Sequence, residues 1–166
     1  ESVFYLSNMY LNRHDPEGSK KAAAAGTAAI ESKTIKVAKD GVSQFRAGKL
    51  YLDAGQRDKA VDYHGRAVAA FQKSDSPPPE YYRRALETVA LEDRGKGDAE
   101  DAADTWEKLV AMNPATPDAD WNLGLAQLRA GRYEKAKASF ERARKAGGDR
   151  GQDAYYASGL AAGGQE

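Results

Sequence analysis

No cysteine occurs in the chain. Disulfides, thiolate metal sites and a cysteine nucleophile are therefore excluded. Histidine is nearly as scarce, with His14 and His64 the two copies, and neither has a partner at the spacing a metal site requires. No apolar run approaches the roughly 18 residues that a membrane-spanning helix needs. An excess of one charge is missing too, because 25 Lys and Arg balance 25 Asp and Glu, which removes the simplest argument for a nucleic-acid partner. No pair of carboxylates lies in apolar sequence that would raise a pKa for acid–base work. Gly95-Lys96-Gly97-Asp98 lacks the hydroxyl and the preceding strand of a phosphate loop. No catalytic residue, metal ligand or cofactor is therefore expected, and the chain reads as a non-enzyme.

Absence of thiols suits an exported chain and is equally compatible with the cytoplasm. The sequence begins at Glu1 rather than methionine, so a processed form or a piece cut from something larger is expected, with any signal peptide already gone. A length of 166 residues predicts a single domain spanning 1–166.

What is present is a spacing. Gly124, Gly131, Ala136 and Ala143 follow one another in steps of 7, 5 and 7, and Gly48, Gly55, Ala60 and Ala67 in the same steps. A third copy, Gly97, Ala102 and Trp106, precedes Gly131, Ala136 and Phe140 by one constant interval. Small residues fixed at such intervals within helical sequence mark places where two backbones approach closely. The constant interval has a period of 34, that of a stacked helix-turn-helix repeat. Gly55, Gly97 and Gly131 are expected to end the first helix of each pair, where a positive φ is easiest without a Cβ.

On these residues the chain resembles the tetratricopeptide repeat family, whose consensus runs W-x2-L-G-x2-Y, then G-x4-A-x3-F-x2-A, then P. The closest match is Asn122-Leu123-Gly124 through Gly131-Arg132-Tyr133-Glu134-Lys135-Ala136 to Phe140 and Ala143. The resemblance implies an all-α fold: an α-α superhelix, a right-handed solenoid of antiparallel helix pairs. Numbered by that pattern, repeats occupy 41–74, 83–116 and 117–150. In the first of them His64 fills the slot of Trp106 and Phe140 and reads as a packing residue. Residues 75–82 form a proline-rich insertion, since Pro77-Pro78-Pro79 cannot be helix interior. Residues 151–162 read as a capping helix and 1–40 as a degenerate helical pair, with Val3–Leu11 its first helix and Asp15-Pro16 opening its second.

The resemblance further implies a binding module. In similar proteins the first helices of successive pairs line a groove that holds an extended peptide or a partner's helix. Carried over by position, the groove candidates are Phe45, Arg46, Lys49 and Leu52 in the first repeat. In the second they are Arg84, Glu87, Thr88 and Leu91, and in the third Asp118, Trp121, Asn122, Leu125 and Arg129. Asn122 stands where the family often has an asparagine that bonds a peptide backbone. Trp121 lies three positions before Gly124, one fewer than the family's usual tryptophan, which leaves two readings open: a groove anchor, or a side chain packed against Tyr133 or the preceding pair. A clamp for chaperone C-termini is not expected, because Phe45, Lys49, Thr88, Asp118 and Asn122 include two chemically suitable residues of five.

Charge is unevenly spread. Residues 1–74 carry 12 Lys and Arg against 8 Asp and Glu, residues 75–120 carry 5 against 12, and residues 121–166 carry 8 against 5. The acidic middle repeat reads either as a docking surface for a basic segment or as solvated helix-end carboxylates. The basic last repeat is interrupted by Glu134 and Glu141, so nucleic acid is not the expected partner. The expected partner is a protein or peptide segment bound by a non-enzymatic scaffold. The alternatives are a regulatory or substrate-recruiting repeat domain of a larger enzyme or assembly, and a self-associating structural module.

Overall fold

The computed structural model describes residues 15–96, 99–112 and 117–147, together with 153, 157, 159, 161 and 163. Seven helices have described bounds: α1 (Pro16–Glu31), α2 (Gly41–Asp53), α3 (Arg57–Phe71), α4 (Pro79–Lys96), α5 (Ala99–Met112), α6 (Pro117–Arg129) and α7 (Tyr133–Ala146). No strand occurs among the described residues, so the fold is all-α as the repeat spacing predicts. The expected helix at Val3–Leu11, His14 and Gly97 lie outside the described residues. The chain divides into two compact units, Glu1–Ala85 and Leu86–Glu166, and the division falls within α4.

Helix α1 begins where the sequence predicts. Asp15 caps α1, its Oδ1 accepting from the Gly18 amide at 2.8 Å, and Pro16 occupies the first turn. Ser19, Ala22, Ala23, Gly26 and Thr27 repeat at helical spacing and form the buried face of α1, which packs on α2. Asp40 caps α2 in the same way, through the Ser43 amide at 2.9 Å. Helix α2 then packs along α3 across a link of residues 54–56. Gly55 sits at φ +77°, the Gln56 amide donates to the Tyr51 carbonyl at 2.8 Å and the Gly55 amide to Leu52 at 2.9 Å. That pair of bonds is a Schellman ending, which returns partners to carbonyls the helix would otherwise leave open.

Helix α4 differs from the expected boundary. Counting by the period places its start at 83, but it begins at Pro79 and runs to Lys96. Half of the supposed insertion is therefore helix. Proline tolerates the first helical position, where its missing N–H costs nothing. The physical gain is aromatic burial: the Tyr81 ring stacks 5.0 Å from Phe45, and the Tyr82 ring lies 5.7 Å from Phe71. Phe45, Ala67, Phe71 and Ala85 form the buried cluster to which these tyrosines add.

In the second unit α5 packs on α6 and α6 on α7. The link after α6 repeats the earlier one in detail, with Gly131 at φ +70°, Arg132 donating to the Gln127 carbonyl at 2.8 Å and Gly131 to Leu128 at 3.1 Å. Ala136, Phe140 and Ala143 on α7 are fully buried, and Ala157 and Ala161 pack into the same cluster. Of the expected capping helix at 151–162, residues 153, 157, 159 and 161 are described and the others lie outside the described residues.

The small residues on the first helices serve a purpose narrower than the spacing alone suggests. A Cβ added at Gly48 would lie 2.4 Å from Cδ2 of His64, and one added at Gly124 would lie 2.5 Å from Cε1 of Phe140. Each glycine is a notch for the ring of the following helix, and the nearest atoms belong to that ring rather than to Ala60 or Ala136.

Candidate protein-interaction site

The candidate residues fall on α2, α4 and α6, and each unit presents its own set. On the first unit Phe45 offers a partner no surface. It is 3% exposed, and its ring stacks 5.2 Å from His64 and 5.0 Å from Tyr81. The position expected to face a groove is a packing position here, because the notch at Gly48 draws His64 inward and the tyrosine of α4 covers the other face of the phenyl ring. Arg46 is half-buried and lines a cleft of about 190 Å³ with Ile35, Ala47 and Leu50. Lys49 is held by Asp53 at 2.7 Å along the helix. Leu52 is 40% exposed, and Arg84 is exposed.

On the second unit Glu87 and Thr88 are half-buried and Leu91 is 38% exposed. Asp118 and Arg129 are exposed, and Asn122 is half-buried. Trp121 and Leu125 are partly buried against the Ala136–Phe140–Ala143 cluster, with the Trp121 ring 5.3 Å from that of Phe140. Trp121 thus packs on α7, through the ring of Phe140. The arrangement reproduces Phe45 on His64, since the two aromatic pairs have the same separation in sequence.

His64 is 2% exposed, and neither ring nitrogen has a hydrogen-bond partner. Burial pushes its pKa down to about 4, and the positive charges of Arg84 and Lys49 act in the same direction, against a partial offset from the Phe45 backbone. The ring is neutral at physiological pH and serves as an aromatic filler. Among the described residues no group of three His, Asp or Glu side chains could hold a metal ion, and no helix is long and apolar enough to cross a membrane.

The acidic repeat meets the basic one within the second unit. Arg132 pairs with Glu100, with Asp104 at 2.8 Å and with Glu107 at 3.4 Å, and Lys135 reaches Glu107 at 3.2 Å. Burial pulls the Glu107 carboxyl upward, but hydrogen bonds from Gln127 and Lys135 and the nearby charges of Lys135 and Arg132 outweigh it and hold the group below its ordinary pKa. Arg142 bonds the buried Asp120 at 2.7 Å, and Ser139 donates to Gln127 at 2.7 Å. Glu100, Asp104, Glu107 and Asp120 are thus engaged inside the chain. Replacing Arg132 by alanine removes the cation that Glu100, Asp104 and Glu107 share, and Lys135 reaches Glu107 among them. The expected loss is about 1 kcal/mol at low salt, shrinking at high salt, as thermal melts at two ionic strengths would record.

A tetratricopeptide repeat family model matches residues 89–150 and, overlapping them, 124–162. No curated protein sequence is significantly similar to the chain. Among solved structures, MamA is similar with a TM-score of 0.65 at 20% identity, over 96% of this chain and 84% of that one. YrrB, described as a TPR protein with an unusual peptide-binding site, is similar with a TM-score of 0.62 at 18% identity, over 93% and 72%. A tetratricopeptide repeat protein from Parabacteroides merdae has a TM-score of 0.65 at 16% identity, over 98% and 59%. Identities this low establish a shared fold, and the shared fold is the helical repeat.

Proposed function

The chain carries tetratricopeptide repeats, and from that premise we propose that it is a non-enzymatic scaffold that binds a peptide or partner segment on the open faces of its first helices. One observation carries the reading. Among the described residues the exposed large hydrophobics are Ile35, Leu52, Leu91 and Met112, and two of these four are first-helix candidates. A single exposed leucine is ordinary on any surface. Leu52 and Leu91 instead recur on the helices where the family presents its ligand face, on α2 and α4, beside polar residues able to orient a main chain. Asn122 supplies the equivalent polar group on α6. The peptide-binding site that names YrrB supports the same class of ligand here. Phe45 takes no part in this proposal, and Trp121, half-buried against Phe140, contributes the surface it keeps.

The test starts from a peptide selected on the intact chain from a random display library. Leu52→Asp, for a peptide seated on the first unit, or Asn122→Ala, for one seated on the second, is expected to weaken it about tenfold or more while leaving the thermal midpoint near the parent value. Unchanged affinity in both variants would remove the first-helix faces from the site.

A further inference from the structure

The first unit has another open surface, none of whose lining residues is a first-helix candidate. The 32–40 segment, the start of α2 and the end of α3 surround a cavity of about 810 Å³. Val37, Val42, Phe71 and Pro78 supply its apolar wall, and Lys39 and Lys73 stand on it. A recess of about 360 Å³ continues from it through the shared residues Val37, Gln44 and Arg66, and adds Lys33 and Lys36.

Three features of this surface point to a ligand. Lys33, Lys36, Lys39 and Lys73 make no ion pair among the described residues, whereas the nearby Lys49, Lys59 and Arg66 are held by Asp53, Glu31 and Asp62. The one carboxylate on the larger cavity, Asp40, is already engaged as the cap of α2. Gln44, 5% exposed, lines both recesses; its Nε2 donates to the Ala38 carbonyl while its Oε1 has no partner. A buried acceptor without a donor costs free energy that a ligand N–H would recover.

Lys33 adds a fourth. It is the one non-glycine residue at positive φ among those described, at +60°, in the conformation that Gly55, Gly131 and Gly147 adopt elsewhere. A lysine held at a glycine's position keeps a charge at the edge of the recess at the expense of backbone strain.

We propose that this cavity binds an acidic peptide segment bearing one apolar side chain. The apolar side chain enters between Val42, Phe71 and Pro78. The carboxylates lie along Lys33, Lys36, Lys39 and Lys73, and a backbone N–H meets Gln44. Charge complementarity selects the occupant: four lysines stand on two joined recesses, which suits a chain of carboxylates better than a single anion. A membrane surface fits less well, since Ile35 is the one large apolar side chain exposed on this segment.

The probe is a fluorescein-labelled peptide of glutamates with one central leucine, titrated into the full chain at low salt and followed by anisotropy. Saturable binding is expected, weakened roughly tenfold or more by the double variant Lys39→Glu/Lys73→Glu. Ala69→Trp, which adds bulk at the cavity wall, should weaken it similarly. Lys33→Gly separates binding from folding: it should raise the thermal midpoint while weakening the peptide. Asn122→Ala should leave this probe unaffected, so the outcome is independent of the first-helix reading. The proposal is overturned if the parent chain shows no saturable binding, or if a leucine-free glutamate peptide binds equally well. Loss of binding in Asn122→Ala but not in the cavity variants, or displacement of the probe by phosphatidylserine vesicles, would overturn it as well.

Discussion

Replacing His64 by phenylalanine should raise the stability of the chain and remove most of its sensitivity to acid between pH 7 and pH 4. The parent buries a neutral imidazole whose pKa is pushed down to about 4 from 6.5. Between those values the unfolded chain binds a proton that the folded chain refuses, so stability is fully present above pH 6.5 and falls as pH drops toward 4. At about 1.36 kcal/mol per tenfold change in proton affinity, the loss is about 3 kcal/mol, a large part of an ordinary domain's stability. Phenylalanine fits the slot, because Phe140 fills the equivalent one against Gly124 at a similar clearance. It also removes two ring nitrogens without partners. Denaturant midpoints measured from pH 7 to pH 4 check this. A variant as acid-sensitive as the parent would place the lability in the carboxylates instead.

Two glycines in helices should respond in opposite senses to alanine. Helix propensity alone favours alanine over glycine by about 1 kcal/mol in a helix interior. At Gly65 on α3 nothing lies within 4 Å of an added Cβ, so Gly65→Ala should stabilise by up to that amount. At Gly124 the new methyl would stand 2.5 Å from the buried Phe140 ring, closer than real contacts allow. Phe140 is fully buried and also carries Trp121, so the ring has nowhere to retreat. Gly124→Ala should therefore destabilise by roughly 1 to 3 kcal/mol despite its better propensity. Adding Phe140→Leu to Gly124→Ala should recover part of the loss. Stabilisation by Gly124→Ala would mean that the notch is not the reason for the glycine.

The elements whose cause is local were legible in the sequence. Asp15-Pro16 opens α1, and Gly55 and Gly131 close their helices at positive φ, each for a reason carried by the residue itself, while the repeat numbering places the starts of α2 and α6 at Gly41 and Pro117. The start of α4 was not legible from the period. Tyr81 and Tyr82 have no counterparts in the other repeats, so counting assigns them to an insertion, while their burial against Phe45 and Phe71 makes them helix.

The faces were the harder part. Phe45 and Trp121 lie on the border between the open side and the packed side of a helix, and position alone does not decide which way such a ring turns. The signal was present in the equal sequence separations of Phe45 from His64 and of Trp121 from Phe140. In the middle repeat the same separation from Trp106 falls on Glu87, which hid the rule. The charge windows misled for a related reason. They place Glu100 and Arg132 in different segments, whereas the two are nearly one repeat apart in sequence, and stacking brings nearly equivalent positions of consecutive pairs together.

That a peptide or protein segment lies on the first helices is tested most directly by a backbone amide shift map of the labelled chain, titrated with a peptide selected from a random library. The expected shifts concentrate on α2, α4 and α6, around Leu52, Leu91 and Asn122. Shifts concentrated on α3, α5 and α7, with those three residues unmoved at saturation, would contradict it.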